Sequence, residues 1–407
     1  MGQSLEVADI FRAFGSTYRE VHGHAMPIRH LRAMRAIEVC RTAELGGHVD
    51  QCDQCGTLRI SYNSCRNRHC PKCQSLEKER WLEARERDLL PTSYFHPVFT
   101  LPEGLRPLAL RNQKVVYNLL FKSVSETLTE LARDTKHLGA EVGFMAILHT
   151  WSQTLIDHPH LHCLVTGGGL SLDGKRWISS KKDFFIPVKV LSRLFRGKFL
   201  DGLKKVYEAG ELRFLGQIEE LREAPAFKRF LTDLYHQEWV VYCKPPLKNP
   251  QKVIDYLGRY TYRVALSNDR LVRMEGSQVT FRWRDSAEGN RIKLLTIDAL
   301  EFIRRFLFHV LPDQFVKIRY YGILSHRSRK RKLLWCKKLL GVSTNNEPEE
   351  GPRETWEDLL TRITGIDPRV CPFCGKGKMI QREILPACSG SLVDRMPLHG
   401  GYSGCPP

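Results

Sequence analysis

The sequence predicts an α+β protein. An N-terminal helical and zinc-ribbon module precedes a ferredoxin-like, split βαβ antiparallel sheet that carries a helical insertion. Three observations predict it. At 407 residues and 42% hydrophobic, the chain is long and apolar enough for globular domains. Six of its 13 cysteines fall within residues 40–73. A strand, a long helix and two close strands then follow one another between residues 98 and 165, the order of a split βαβ unit.

In chain order, residues 5–45 read as helical, with Ile10, Phe14, Ile28, Leu31 and Ile37 as apolar positions. A charged helix over 75–90 leads away from the cysteine-rich stretch. A short apolar strand, 98–101, is bounded by Pro97 and Pro102. The helix over 107–134 places Val116, Leu120, Val124, Leu128 and Leu131 on one face. Strands at 144–151 and 161–165 follow, and residues 175–235 read as inserted helices. A strand at 238–243 is closed by Pro245 and Pro246. Next come a helix at 250–260, strands at 270–274 and 279–283, a helix at 298–310 and a strand at 315–321. The stretch 342–353, rich in Pro, Gly, Asn and Glu, reads as a linker, and residues from 389 carry no pattern. Three domains are expected: 1–92, 93–325 and 326–407.

Lys and Arg total 63 against 45 Asp and Glu, a net charge of +18. That balance suits a polyanion, nucleic acid first and an anionic membrane surface second. No apolar run reaches the length of a membrane span, and residues 1–10 lack the basic and apolar regions of a signal peptide. A cytoplasmic location is expected. In a reducing compartment the cysteines read as metal ligands and buried apolar residues.

The most informative stretch is Asp157-His158-Pro159-His160-Leu161-His162-Cys163-Leu164-Val165. Alternate residues of a strand share a face, so His160 and His162 project together and can reach one divalent ion. A third ligand is expected from the preceding strand, with Gln153, nearest the turn, ahead of His149. A second stretch, Tyr256-Leu257-Gly258-Arg259-Tyr260-Thr261-Tyr262-Arg263, lies on an expected helix. Tyr256 and Tyr260 are i and i+4, so their hydroxyls share a face. Tyr262 competes with them if the helix ends early. Arg259 and Arg263 suit a phosphate beside the phenols.

With these motifs in this order, the chain resembles the HUH endonuclease superfamily, and within it the two-tyrosine transposases of rolling-circle insertion sequences. His160-Leu161-His162 and the Tyr256/Tyr260 pair carry the resemblance, with His149-Thr150-Trp151-Ser152-Gln153 and Gly167-Gly168-Gly169 beside them. The resemblance covers residues 10–325. It implies a DNA transposase that nicks and rejoins single-stranded or hairpin DNA, with Tyr256 and Tyr260 as nucleophiles. It also implies a 5′-phosphotyrosine intermediate and a catalytic Mg²⁺ or Mn²⁺ ion in a nucleoid-associated bacterial protein. No nucleotide cofactor is implied, since the covalent link keeps the energy of the broken bond. On ligand softness alone the imidazoles also accept Zn²⁺ or Ni²⁺.

Cys52-Asp53-Gln54-Cys55-Gly56 and Cys70-Pro71-Lys72-Cys73 form two Cys-x-x-Cys knuckles 14 residues apart. Cys52, Cys55, Cys70 and Cys73 are therefore expected to hold one structural zinc ion. Cys40, His48, Cys65 and His69 remain as a second set or as substitutes. Arg59, Arg66, Arg68 and Lys72 are the phosphate-facing candidates. Cys371 and Cys374 form half a ribbon, for which Cys388, His399 or Cys405 are the candidate partners. A basic run from Arg319 to Lys338, interleaved with Tyr320, Tyr321, His326 and Trp335, suits phosphates and stacked bases.

Three functions fit these features: a transposase, a replication initiator or relaxase with the same chemistry, and a non-catalytic zinc-finger regulator. A relaxase usually carries a third clustered histidine and an N-terminal tyrosine. Here the tyrosines follow the histidines and a zinc module leads, which favours transposition.

Overall fold

The computed structural model describes residues 4–181, 186–260, 264–285, 288–342 and 354–387. It divides into two compact units. One comprises 1–79, 266–310 and 348–407; the other comprises 80–265 and 311–347. The helices are α1 (Val7–His22), α2 (Ile28–Glu38), α3 (Gln74–Glu86), α4 (Arg106–Arg111), α5 (Gln113–Arg133), α6 (Val188–Glu208), α7 (Ala224–His236), α8 (Pro250–Tyr260), α9 (Ala299–Phe308), α10 (Arg329–Leu339) and α11 (Trp356–Thr364). The strands are β1 (Gly47–Cys52), β2 (Leu58–Tyr62), β3 (Tyr94–Thr100), β4 (Ala140–Trp151), β5 (Asp157–Ser171), β6 (Trp177–Ser179), β7 (Val241–Leu247), β8 (Leu271–Glu275), β9 (Gln278–Asp285), β10 (Arg291–Asp298), β11 (Ile318–Gly322) and β12 (Met379–Leu385).

The unit built on 80–265 contains a sheet ordered β11-β4-β5-β3-β7, with β6 paired to β5. Every neighbouring pair is antiparallel. β3–α5–β4 and β5–α6–β7 each cross over one intervening strand, which is the ferredoxin-like split βαβ arrangement. The helical segment expected at 175–235 thus supplies α6 as the second crossover helix. β7 continues through Pro245 and Pro246 instead of stopping there. Among the described residues it pairs only with β3, and an edge strand tolerates missing donors.

Strand alternation sorts the side chains of this sheet. Phe95, Phe99, Ala146, Leu148, Leu161, Cys163 and Val165 face α5 and α6, against Val116, Leu120, Val124, Phe195 and Phe199. Tyr94, Met145, Ile147 and Leu164 face the other way and pack with Val253 and Leu257 of α8.

The other unit contains two small sheets, β12-β1-β2 and β10-β9-β8. Phe11 of α1 sets its ring edge-on to Phe306 of α9, 5.3 Å between centroids. Residues 266–310 group with this unit and not with the six-stranded sheet.

Candidate functional site

His149, His160 and His162 bring one ring nitrogen each within 4.8 Å of one another. Antiparallel pairing explains the cluster, because His149 of β4 lies opposite His160 of β5. His162 is two residues further along β5, on the same face. All three share the face on which α8 packs, since they keep the parity of Ile147 and Leu164. His160 Nε2 and His162 Nε2 stand 3.1 Å apart. His160 Nδ1 donates to the His158 carbonyl at 2.6 Å, which assigns the ring proton to Nδ1. His162 Nδ1 meets His96 Nε2 at 2.9 Å.

His96 is a residue that the sequence reading passed over. It lies on β3, opposite Leu164 in the β3–β5 register and therefore on the histidine face. The expected strand began at 98, after Pro97, and left it out. His96 and His149 are buried, whereas His160 is only half-buried, so the cluster opens to solvent at His160. Burial pushes His96 down to about 3, with Lys244 and His160 adding to the effect. Burial, then the neighbouring imidazoles His149 and His160, holds His162 well below its ordinary value. Both rings are therefore neutral at physiological pH and keep a lone pair. Gln153, the other expected ligand, sits in the turn between β4 and β5, where Ser152 N–H donates to the Ile156 carbonyl at 2.9 Å.

α8 spans Pro250–Tyr260 and is anchored through Val253 and Leu257, both buried against the sheet. Tyr256 and Tyr260 each follow one of those positions by three residues. Their backbone lies in the helix; their side chains, with Arg259, lie outside the described residues, as do Thr261, Tyr262 and Arg263.

The cysteines form two groups of four. Cys40, Cys65, Cys70 and Cys73 make one, and Cys52, Cys55, Cys371 and Cys374 the other. The four thiols expected to share one ion, Cys52, Cys55, Cys70 and Cys73, are thus divided between two clusters. The reason is the β1–β2 hairpin. Gly47 pairs with Tyr62 at its base and Gln51 with Leu58 near its tip. Cys52 and Cys55 sit at the tip, while Cys40 and Cys65 flank the base. Four or five residues at ~3.3 Å each separate the ends by about 15 Å, too far for one ion. Within the first group, Cys40–Cys73, Cys65–Cys73 and Cys40–Cys70 sulfur distances are 3.5, 3.6 and 3.7 Å. His48 lies beside Asp50, 3.5 Å away, and belongs to neither group. Cys388, His399 and Cys405, the expected partners of Cys371 and Cys374, lie outside the described residues.

Two of the cations expected to face phosphate are tied inward. Arg59 donates to Asp50 and to the Pro368 carbonyl, and Lys72 pairs with Glu6. The basic run divides similarly. Arg319 stacks on Phe121 at 4.1 Å, Lys332 pairs with Glu141 at 2.6 Å and Arg329 lies 3.6 Å from Asp88. Arg327, Lys330 and Arg331 remain exposed.

Comparison with known proteins places these features in a family. Residues 143–332 match a family model described as "Putative transposase". Residues 10–101 match the model "Transposase zinc-binding domain". The chain is 52% identical over 385 residues to "Putative transposase y4qJ" of Sinorhizobium fredii, covering 95% of this chain and 96% of that one. It is 26% identical over 339 residues to the "Transposase for insertion sequence element IS801" of Pseudomonas savastanoi pv. phaseolicola, covering 83% and 79%. With its histidine pair on the central strand, its cysteine clusters and this similarity along nearly its whole length, the chain belongs to the two-tyrosine transposase family of the HUH superfamily and carries that family's zinc-binding domain.

Proposed function

We propose that this transposase nicks and rejoins single DNA strands through a 5′-phosphotyrosine, using a divalent ion on His160 and His162, in rolling-circle-type transposition. The observation that carries the reading is the 3.1 Å approach of the two Nε2 atoms. The Nδ1 proton of His160 is spent on a carbonyl, so its Nε2 presents a lone pair. If His162 donates from Nδ1 to His96, its Nε2 does the same. Two lone pairs at that separation repel unless a cation lies between them. Octahedral bonds of ~2.1 Å at right angles put neighbouring ligand atoms about 3.0 Å apart, which suits Mg²⁺ or Mn²⁺. His149 and Gln153 are the candidates for a third position.

An ion held there supplies Lewis-acid polarisation of a non-bridging phosphate oxygen. The hydroxyl of Tyr256 or Tyr260 attacks phosphorus in line. The phenolic O–P bond forms as the P–O3′ bond breaks, and the departing 3′ oxygen takes a proton to become a hydroxyl. Reversal of that step rejoins the strand without ATP, and two tyrosines allow two sequential transfers. The seating of α8 on the histidine face supports this assignment; a helix across the sheet would oppose it. Zinc on Cys40, Cys65, Cys70 and Cys73 would order the loop between β2 and α3, and single-stranded or hairpin DNA is the substrate.

Labelled single-stranded DNA incubated with the protein and Mn²⁺ is expected to yield an adduct that survives denaturation. The Tyr256→Phe/Tyr260→Phe double variant gives none, and adduct from it would overturn the nucleophile assignment. His160→Ala/His162→Ala is expected to retain DNA binding and lose the adduct.

A further inference from the structure

We propose that Cys52, Cys55, Cys371 and Cys374 hold a second structural zinc ion, which ties the segment from about 366 to 387 into the zinc-binding module near the N-terminus. The proposal rests on thiol geometry and is independent of the strand-transfer chemistry.

The two contributing knuckles are built alike. Each reads Cys-x-x-Cys-Gly, and Gly56 and Gly375 adopt φ of 71° and 67°, a conformation that favours glycine. Gly56 N–H donates to the Cys52 carbonyl at 3.1 Å, and Gly375 N–H to the Cys371 carbonyl at 2.9 Å. One backbone N–H also points at a sulfur in each: Cys55 N–H at Cys52 Sγ and Gly377 N–H at Cys374 Sγ, both 3.4 Å. Such donors stabilise thiolates.

The knuckles face each other across the β1–β12 pairing, in which Cys52 lies opposite Met379. Asp53 closes the gap, donating from its N–H to the Lys378 carbonyl and accepting from Lys378 N–H at 2.8 Å. Cys52 Sγ lies 3.7 Å from Cys374 Sγ, and Cys55 Sγ lies 3.7 Å from Cys371 Sγ. A disulfide needs ~2.0 Å. A tetrahedron of thiolates bonded at ~2.3 Å has edges of about 3.8 Å, which these distances match. A Cβ at Gly377 would run into Cys52 Sγ, so the backbone is packed against the sulfurs themselves.

The sheet also buries little apolar surface of its own. Neither β2 nor β12 contributes a buried residue, and β1 buries only Gly47, Asp50 and Cys52. A three-stranded sheet without an apolar layer is marginal, and a bound ion supplies the missing cohesion. Each thiol releases its proton to solvent as its sulfur–zinc bond forms. Four soft sulfurs in a tetrahedron select zinc over magnesium or calcium.

Native mass spectrometry and elemental analysis of the full chain are expected to find two zinc ions per polypeptide. The Cys371→Ser/Cys374→Ser variant should hold one. Iodoacetamide without denaturant should then label Cys52 and Cys55 and spare Cys40, Cys65, Cys70 and Cys73. A wild-type chain with fewer than two zinc ions would overturn the proposal whatever the variant does. Retention of two ions by the variant, or labelling of Cys70 and Cys73 in place of Cys52 and Cys55, would overturn it as well.

Discussion

His96 Nε2 stands 2.9 Å from His162 Nδ1, the place that the His158 carbonyl takes beside His160 Nδ1; on the proposed reading the proton lies on His162 Nδ1 and its Nε2 is left for the ion. A partner of this kind sets the tautomer of a ligand and typically contributes 10–100-fold in metal affinity or activity. His96→Ala is therefore expected to raise the Mn²⁺ concentration for half-maximal adduct formation by about 10–100-fold. His96→Gln, which keeps a hydrogen-bonding group, should recover part of that loss, and equal Mn²⁺ dependence in all three proteins would remove His96 from the site. Asp157 permits a pH prediction. Neither carboxyl oxygen finds a hydrogen-bond partner, and burial pushes the group from 3.8 up to about 7 against the pull of Arg106. A raised folded-state value means that the folded chain keeps a proton which the unfolded chain releases between about pH 4 and 7. Stability therefore falls as pH rises through that window. Asp157→Asn removes the penalty and should gain up to about 4 kcal/mol at pH 8. Thermal melts of the two proteins test this; an unchanged fall of Tm from pH 4 to 7 in the variant refutes it.

At the scale of elements, α8 is held to the sheet mainly by Val253 and Leu257. Leu257→Ala should cost about 2–5 kcal/mol in denaturant unfolding and loosen the segment that carries the tyrosines. Adduct formation should drop well beyond DNA binding, with zinc content unchanged; an unaltered adduct rate would show that α8 does not position the nucleophile. The limits of α8 were legible at 250–260, because its amphipathic spacing and its starting proline are local signals. The succession of strand, helix and two strands that marks the split βαβ unit was legible along the chain for the same reason. β7 was cut short at its prolines, since a sequence does not reveal which strand lies at an edge. β12 went unread because its side chains are exposed and carry no alternating burial pattern.

For the whole molecule, the +18 charge overstates the surface available to DNA. Lys332, Arg329 and Arg319 are engaged with Glu141, Asp88 and Phe121, while Arg327, Lys330 and Arg331 are exposed. Each phosphate contact on a single strand contributes ~0.7 to the salt slope of affinity. Replacing those three cations by Ala should flatten the slope of log K against log salt by about 2. No change in the slope would place the DNA elsewhere. No helix among the described residues is long and apolar enough to cross a membrane.

The sequence by itself determined the chemistry on offer: a His-x-His strand, a tyrosine pair one helical turn apart, and cysteines in knuckles. Those patterns depend on backbone geometry over a few residues, which local spacing reports. Only the tertiary structure decided which groups meet. It put His149 and His96 beside the histidine pair through strand register, and seated α8 on their face through two buried side chains. It also separated Cys52 and Cys55 from Cys70 and Cys73 by the length of a hairpin, and brought Cys371 and Cys374 to them through a strand more than 300 residues away. Pairings of that kind depend on which distant strands share hydrogen bonds, and the spacing of neighbouring residues carries no record of it.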